Sequence, residues 1–379
     1  MFFHGYDSED FLKYKHKDIE TYRNKKIDDL LKLKPELRDT FSDKEKHREN
    51  KDFFHIKKIQ EFETSGTSGI PLKFGISHSG TSFRNSYILS KILKEFGLEI
   101  NRSIILYVVP YRLINADLIE NLYLSPFQPN FITIRESYLS YFLKRNNFNN
   151  YNIVLLSSAS IYQKIIDNKY KIYSKLCINI NEHFYNKEDV KNYFNCQVTD
   201  WITCFDGSLS SWNCKYGKYH LDFEVSYAYN DKDNKIILTD YWNKSEIFYN
   251  YFNGDLGIIN QNEKDNICKC GRFGPYLESF IGRSTETFNV NNKKIYGMEI
   301  YDTLFPGLNF DNCLLEQLPN KNIIFYYENG NEEQIKLAES RLNFLFGDNN
   351  FLIEEKDNDF FRKINNKKRI YTRVIKRKI

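Results

Sequence analysis

Thr64-Ser65-Gly66-Thr67-Ser68-Gly69-Ile70-Pro71-Leu72-Lys73 is the stretch from which the rest of the chain can be read. Its two glycines let the backbone turn tightly and present successive N–H groups, and its Ser and Thr hydroxyls add donors. The segment is therefore suited to hold phosphate oxygens. It is not a Walker loop, because GxxxxGK[ST] needs a lysine and a hydroxyl after the second glycine, where Ile70 and Pro71 stand. Gly/Ser/Thr turns also commonly join strands to helices, and the flanks supply both. Alternation over residues 55–62 (HIKKIQEF) predicts a strand entering the turn, and apolar periodicity over 82–96 predicts a helix beyond it.

Working outward, strand and helix patterns keep alternating. Residues 103–109 lead to 116–123, 153–156 lead to 161–166, and 175–180 lead to 187–194, followed by a strand at 197–204. This predicts an α/β layer architecture with a largely parallel sheet. After Gly207 the pattern turns strand-rich over 219–229, 235–242 and 255–260, as an antiparallel subdomain would. From about Ser284 the chain reads as a mixed α/β piece ending in a basic run. Residues 8–50 are highly charged, with Ile19, Tyr22, Ile27, Leu30 and Leu31 at near-helical spacing, which predicts amphipathic surface helices.

The 379 residues are 41% hydrophobic and 27% charged, enough apolar material for one large domain or for a large and a small one. An aromatic share of 16% excludes the low-hydrophobicity route to disorder. A net charge of +4 is too small to argue for a nucleic-acid groove or an anionic membrane surface. The longest apolar run, 104–109, is far below the ~18 residues of a bilayer span, and acidic residues stand in the N-terminal segment where a secretory signal would be apolar. A cytoplasmic location, without nucleic acid and without membrane insertion, is the expectation.

Seven cysteines, odd in number and scattered, point to thiols or metal ligands and away from a disulfide framework. Cys214 and His220 form a Cys-x5-His pair, and Cys268 and Cys270 a Cys-x-Cys-Gly knuckle. Three thiolates and one imidazole are a tetrahedral set that zinc prefers, and turns at Gly217 and Gly271 would let the pairs converge. Four protein ligands leave no open position, so such a metal would be structural. The alternative makes Cys214 a small core hydrophobe and His220 a surface residue. Cys177, Cys196, Cys204 and Cys313 show no ligand spacing.

The loop at 64–71 resembles the phosphate-binding loop of adenylate-forming enzymes, [ST]SG[ST][TS]GxP. Within that superfamily it looks most like the phenylacetate-CoA ligase branch and its relatives in capsule-biosynthesis clusters, whose CxCGRxxP resembles residues 268–275. Other pieces appear in the family's order. Glu182 sits where the family has Gly-Glu facing the nucleotide pocket, with Asn181 in place of the glycine. Residues 205–208 correspond to a YGxTE-like motif that stacks on adenine and helps hold magnesium. Phe205 and Ser208 keep the aromatic and the hydroxyl, Leu209 takes the glutamate position, and Asp206 is a candidate substitute. Residues 251–255 (YFNGD) resemble YRTGD, whose aspartate takes the ribose hydroxyls. An ionised Asp255 is acceptor-only and can take both. By itself this segment also reads as a strand turn built on Gly254. Arg283 in 282–284 resembles the arginine of GRxD, which contacts the nucleotide at the boundary of a mobile C-terminal domain. Lys367 and Lys368 are the candidates for the tail lysine that stabilises the adenylation transition state, a generic basic tail being the alternative for either.

The resemblance implies a large N-terminal domain over 1–283 and a small mobile α+β domain over 284–379. It implies ATP and Mg2+ use, a carboxylic acid substrate activated to an acyl-adenylate, and a thiol acceptor, CoA first. Thr64, Ser65, Gly66, Thr67, Ser68, Gly69, Glu182, Phe205, Asp206, Ser208, Asp255 and Arg283 would form the nucleotide site. Within the same fold the runner-up is acyl transfer to a protein thiol or an amine, as in the acyl-protein synthetase of bioluminescent bacteria. From another class, a zinc-bearing binding module remains.

Overall fold

The computed structural model describes residues 24–29, 32, 59–63, 73–109, 122–124, 131–145, 151–180, 183–204, 209–241, 248–261, 267–291, 293–308, 310–348, 350–365 and 372–376. They fall into two compact units, Met1–Glu95 with Trp201–Ser279, and Phe96–Asp200 with Phe280–Ile379.

In the first unit residues 24–29 are helical, within the predicted amphipathic segment 8–50, whose other residues apart from Lys32 lie outside the described residues; β1 (Ile59–Glu63) then pairs antiparallel with β2 (Lys73–Ser77), Glu63 facing Lys73. Residues 59–62 of the predicted strand lie in β1, residues 55–58 lie outside the described residues, and a second strand separates residues 64–72 from the helix. That helix, α1 (His78–Glu95), starts four residues before the predicted position. It buries Ile88, Leu89, Ile92 and Leu93, a stripe at i, i+1, i+4 and i+5 that places one face in the core.

In the second unit β3 (Ser103–Val109) is central. β4 (Leu122–Leu124) runs antiparallel to β5 (Phe131–Arg135), which pairs parallel with β3 and is followed by α2 (Leu139–Arg145). On the other side of β3, β6 (Asn152–Ser157) and β7 (Ser174–Ile180) continue the parallel pairing, giving the order β7-β6-β3-β5-β4. β3, β6 and β7 read as near-continuous apolar runs because both of their faces are buried. Connections between them run through α3 (Ala159–Asp167) and α4 (Lys187–Phe194), and β8 (Gln197–Thr203) follows. Ile161, Tyr162 and Ile165 of α3 pack on Leu106, Val108 and Leu155, each fully buried aliphatic contributing about 1.5–3 kcal/mol. The buried Tyr162 hydroxyl reaches the carbonyls of Leu155 (2.7 Å) and Ile178 (3.0 Å), so the core carries no unsatisfied phenol there. Of the helix predicted at 116–123, residues 116–121 lie outside the described residues. Leu122 and Tyr123 belong to strand β4, because pairing with β5 overrides an apolar spacing that suits either element.

Back in the first unit, β9 (Ser210–Asn213), β10 (Tyr219–Leu221), β11 (Ser226–Asn230), β12 (Lys235–Asp240), β13 (Tyr251–Asn260) and β14 (Tyr276–Arg283) bear out the strand-rich reading. Their order is β11-β12-β13-β14-β10-β9, and β9 also pairs antiparallel with Trp201, Ile202 and Thr203 of β8. The predicted run 219–229 is two strands, not one. A turn at Asp222 divides them, its carbonyl accepting from Val225 N–H (3.1 Å) and its Oδ1 from Glu224 N–H (3.2 Å).

Residues after Ser284 build a core of their own within the second unit. β15 (Phe288–Val290) and β16 (Lys293–Ile295) make a hairpin, followed by α5 (Gly297–Leu304). Then come β17 (Asn312–Gln317), β18 (Ile323–Glu328), α6 (Glu332–Phe346), β19 (Phe351–Glu355), α7 (Asn358–Asn365) and β20 (Thr372–Lys376). Their sheet has the order β19-β18-β17-β20, and Phe288, Ile300, Leu315, Phe325, Leu342 and Phe346 pack together beneath it. Asn331 caps α6 by accepting Gln334 N–H at 2.9 Å. No helix among the described residues is long and apolar enough to cross a membrane.

Candidate functional site

The four predicted metal ligands converge. Cys214 leaves the end of β9, His220 sits in β10 opposite Trp212 of β9 and Tyr276 of β14, and Cys268 and Cys270 lie just before β14. The two cysteine turns are built alike. Cys214 N–H donates to Lys218 O (2.9 Å) while Gly217 N–H donates to Cys214 O (2.8 Å); Cys268 N–H donates to Arg272 O (2.8 Å) while Gly271 N–H donates to Cys268 O (2.8 Å). Each turn closes through a glycine at positive φ, +84° for Gly217 and +88° for Gly271.

One donor atom from each of Cys214, His220, Cys268 and Cys270 lies within 4.8 Å of the others. Cys214 Sγ is 3.8 Å from Cys268 Sγ, and Cys270 Sγ is 3.4 Å from His220 Nε2. Zn–S and Zn–N bonds of ordinary length in a tetrahedron give edges of about 3.8 Å and about 3.6 Å, so the donor set fits this ion. His220 is 1% exposed, which corrects the alternative of a surface histidine. Burial, aided by Arg272 and Lys218, pushes its pKa down to about 3, so the imidazole is neutral, the form that ligates metal. Burial pushes the Cys270 thiol up to about 12.

Beside the cluster lies a charged network that carries no sequence motif. The Arg272 guanidinium stacks 3.7 Å from the Trp212 ring centre and stands 3.8 Å from Glu95 of α1, and Trp212 Nε1–H donates to Glu95 Oε2 at 2.9 Å. Lys91, one turn earlier on α1, pairs with Asp222 (2.9 Å) and Glu224 (2.5 Å). Desolvation lowers Lys91 to about 8 despite Asp222, and raises Glu224 to about 8.

Of the predicted nucleotide residues, Asp255 is 4% exposed in β13 and follows Gly254, whose φ is +99°. Its Oδ2 accepts from Asn253 Nδ2 (2.7 Å) and its backbone N–H donates to Asn253 Oδ1 (3.0 Å), so Asn253 holds Asp255 by one carboxylate oxygen and by its backbone. Arg283 ends β14 half-buried, after a Gly282 whose Cβ would stand 3.2 Å from Met298 N. Thr64, Ser65, Gly66, Thr67, Ser68, Gly69, Glu182, Phe205, Asp206, Ser208, Lys367 and Lys368 lie outside the described residues. The residue after Glu182, His183, pairs through Nε2 with Asp302 Oδ1 of α5 at 2.5 Å, a contact that no sequence motif marked.

No family model matches the sequence, and no curated protein does. Among solved structures the chain is similar to 2-hydroxyisobutyryl-CoA ligase in the postadenylation state with 2-HIB-AMP (TM-score 0.60, 14% identity, 86% of this chain and 81% of that one). It is similar to the anthranilate CoA ligase AuaEII in complex with anthranoyl-AMP (TM-score 0.55, 13% identity, 80% of this chain and 64% of that one). It is also similar to ATP-bound MatB from Rhodopseudomonas palustris (TM-score 0.51, 14% identity, 80% of this chain and 67% of that one). The α/β fold of this chain is the fold of these ligases.

Proposed function

We propose that the protein is an ATP-dependent acid ligase of the adenylate-forming type, on the phenylacetate-CoA ligase side of that superfamily. The observation that carries this reading is the likeness, over 86% of the chain, to a CoA ligase whose structure holds an acyl-adenylate. In the reaction a substrate carboxylate attacks the ATP α-phosphorus, pyrophosphate leaves in line, and a thiol, CoA first, then takes the acyl group and releases AMP. The protein's share is positioning and stabilisation of charge on phosphoryl oxygens. Ser65 to Gly69 supply N–H and hydroxyl donors to the phosphates, Asp255 takes the ribose hydroxyls, and Glu182, Phe205, Ser208 and Arg283 complete the nucleotide site. Asp206 serves the Mg2+ in place of the glutamate that Leu209 replaces. Residues 284–379 act as the small mobile domain, bringing Lys367 or Lys368 to the α-phosphate. Cys214, His220, Cys268 and Cys270 hold a closed zinc that ties two turns together and takes no part in the chemistry.

The test is pyrophosphate release with ATP, Mg2+ and a panel of aryl, short hydroxy, fatty, sugar and amino acids. One class of acid is expected to trigger release, followed by thioester formation when CoA is added. Absence of release with every acid, together with no AMP binding, refutes the reading. Metal analysis should find about one zinc per chain, lost in Cys268→Ser.

A further inference from the structure

We infer that Arg272 is a positioning residue that clamps the Cys/His cluster to the end of α1, an inference that rests on the zinc reading above. Three ties meet in this one residue. Its backbone carbonyl accepts the Cys268 N–H (2.8 Å) and so closes the second cysteine turn. Its guanidinium lies on Trp212, the residue opposite His220 in the β9–β10 register and two before Cys214. Its charge faces Glu95, the last residue of α1, which also accepts the Trp212 indole N–H. Through Arg272, both cysteine turns and the histidine strand share a contact with a helix that contributes no ligand.

The geometry is not that of a simple ion pair. A guanidinium placed only to neutralise Glu95 would close to a bidentate bond, yet Arg272 stands 3.8 Å away, over the indole. Glu95 Oε1 and Arg272 Nη1 are both enclosed and make no hydrogen bond among the described residues. Contact with the Trp212 ring therefore sets the position. Three thiolates around a Zn2+ with a neutral imidazole would carry a net charge of −1, and the Arg272 guanidinium, over the ring of Trp212 two residues before Cys214, is placed beside that cluster. Arg272 supplies the balancing cation in a planar form that can stack, which lysine lacks. Such supporting groups around ligands typically carry about 10–100-fold in metal affinity.

The experiment uses the full chain loaded with zinc and follows zinc release to a colorimetric chelator and tryptophan emission together. Arg272→Ala should release zinc about 10–100-fold faster than the parent, and Arg272→Lys should fall between them. Chelation should shift the parent's emission, Trp212→Phe should lose that shift, and zinc-loaded Arg272→Ala should already show the metal-free spectrum. Parent-like release and a parent-like shift in Arg272→Ala overturn the inference. If that variant does not fold, parent-like release from Arg272→Lys overturns it instead. A parent that takes up no zinc overturns the metal reading itself, and the inference with it.

Discussion

Replacing Asp255 by asparagine isolates the proposed ribose contact, because the structure shows what the substitution leaves intact. In Asp255→Asn the side-chain carbonyl still accepts from Asn253 Nδ2, where the carboxylate does so at 2.7 Å, and the backbone bond to Asn253 Oδ1 at 3.0 Å is untouched. These two bonds survive the substitution, and thermal melting measures any remaining change in folding. Nucleotide binding should change far more. A hydrogen bond to a charged group contributes roughly 1.5–3 kcal/mol, or about 10- to 150-fold in affinity. The assay is equilibrium binding of AMP and of its 2′,3′-dideoxy analogue to parent and variant, with thermal melting as control. The parent should prefer AMP by that factor, and Asp255→Asn should nearly lose the preference, since variant and analogue delete the same contact. An Asp255→Asn protein that still discriminates as the parent does would refute the assignment.

Gly257→Ala, two residues further along β13, should destabilise by about 1–3 kcal/mol in thermal melts. Its Cβ would stand 2.9 Å from the Ser279 carbonyl and from Ile236 Cδ1, and the backbone atom cannot yield. Stability should fall as pH rises from 6.5 to about 7.5, by at most about 1.4 kcal/mol per unit, because burial lifts Glu224 to about 8 and the folded chain keeps a proton that the unfolded chain sheds; nearer pH 8 its partner Lys91, lowered to about 8, loses a proton that the unfolded chain keeps and offsets the fall. Glu224→Gln should flatten that slope, which lies above the range where His220, pushed down to about 3, adds the opposite trend. Alanine at Lys367 or Lys368 should slow adenylate formation by about 10²-fold and leave consumption of a preformed adenylate nearly unchanged. Equal loss in both half-reactions would refute the role.

What was legible in the sequence depended on whether the signal was local. β3 and α4 fall at the predicted residues, because a strand covered on both faces is a continuous apolar run and α4 opens with Glu188 and Asp189 and buries Val190 and Phe194 at helical spacing. β2 was missed since KFGIS gains its pairing only from β1 across the loop, and β4 was misread since its partner lies beyond its own pattern. The same division runs through the site. The Cys/His cluster draws its members in pairs that are close in sequence, so Cys214 with His220 and Cys268 with Cys270 could be found by spacing. Glu95, Trp212 and Arg272 come from three separate segments and meet only through the sheet register and the packing of α1. Asn253 stands between these cases. It holds Asp255 from i−2, the neighbour that shares its face of a strand, so the period of 2 marks it once residues 251–260 are read as strand and not as turn. The side chain that orients the proposed ribose acceptor was therefore readable from the sequence, and the reading that hid it was the Gly254 turn, whose φ of +99° occurs inside the strand.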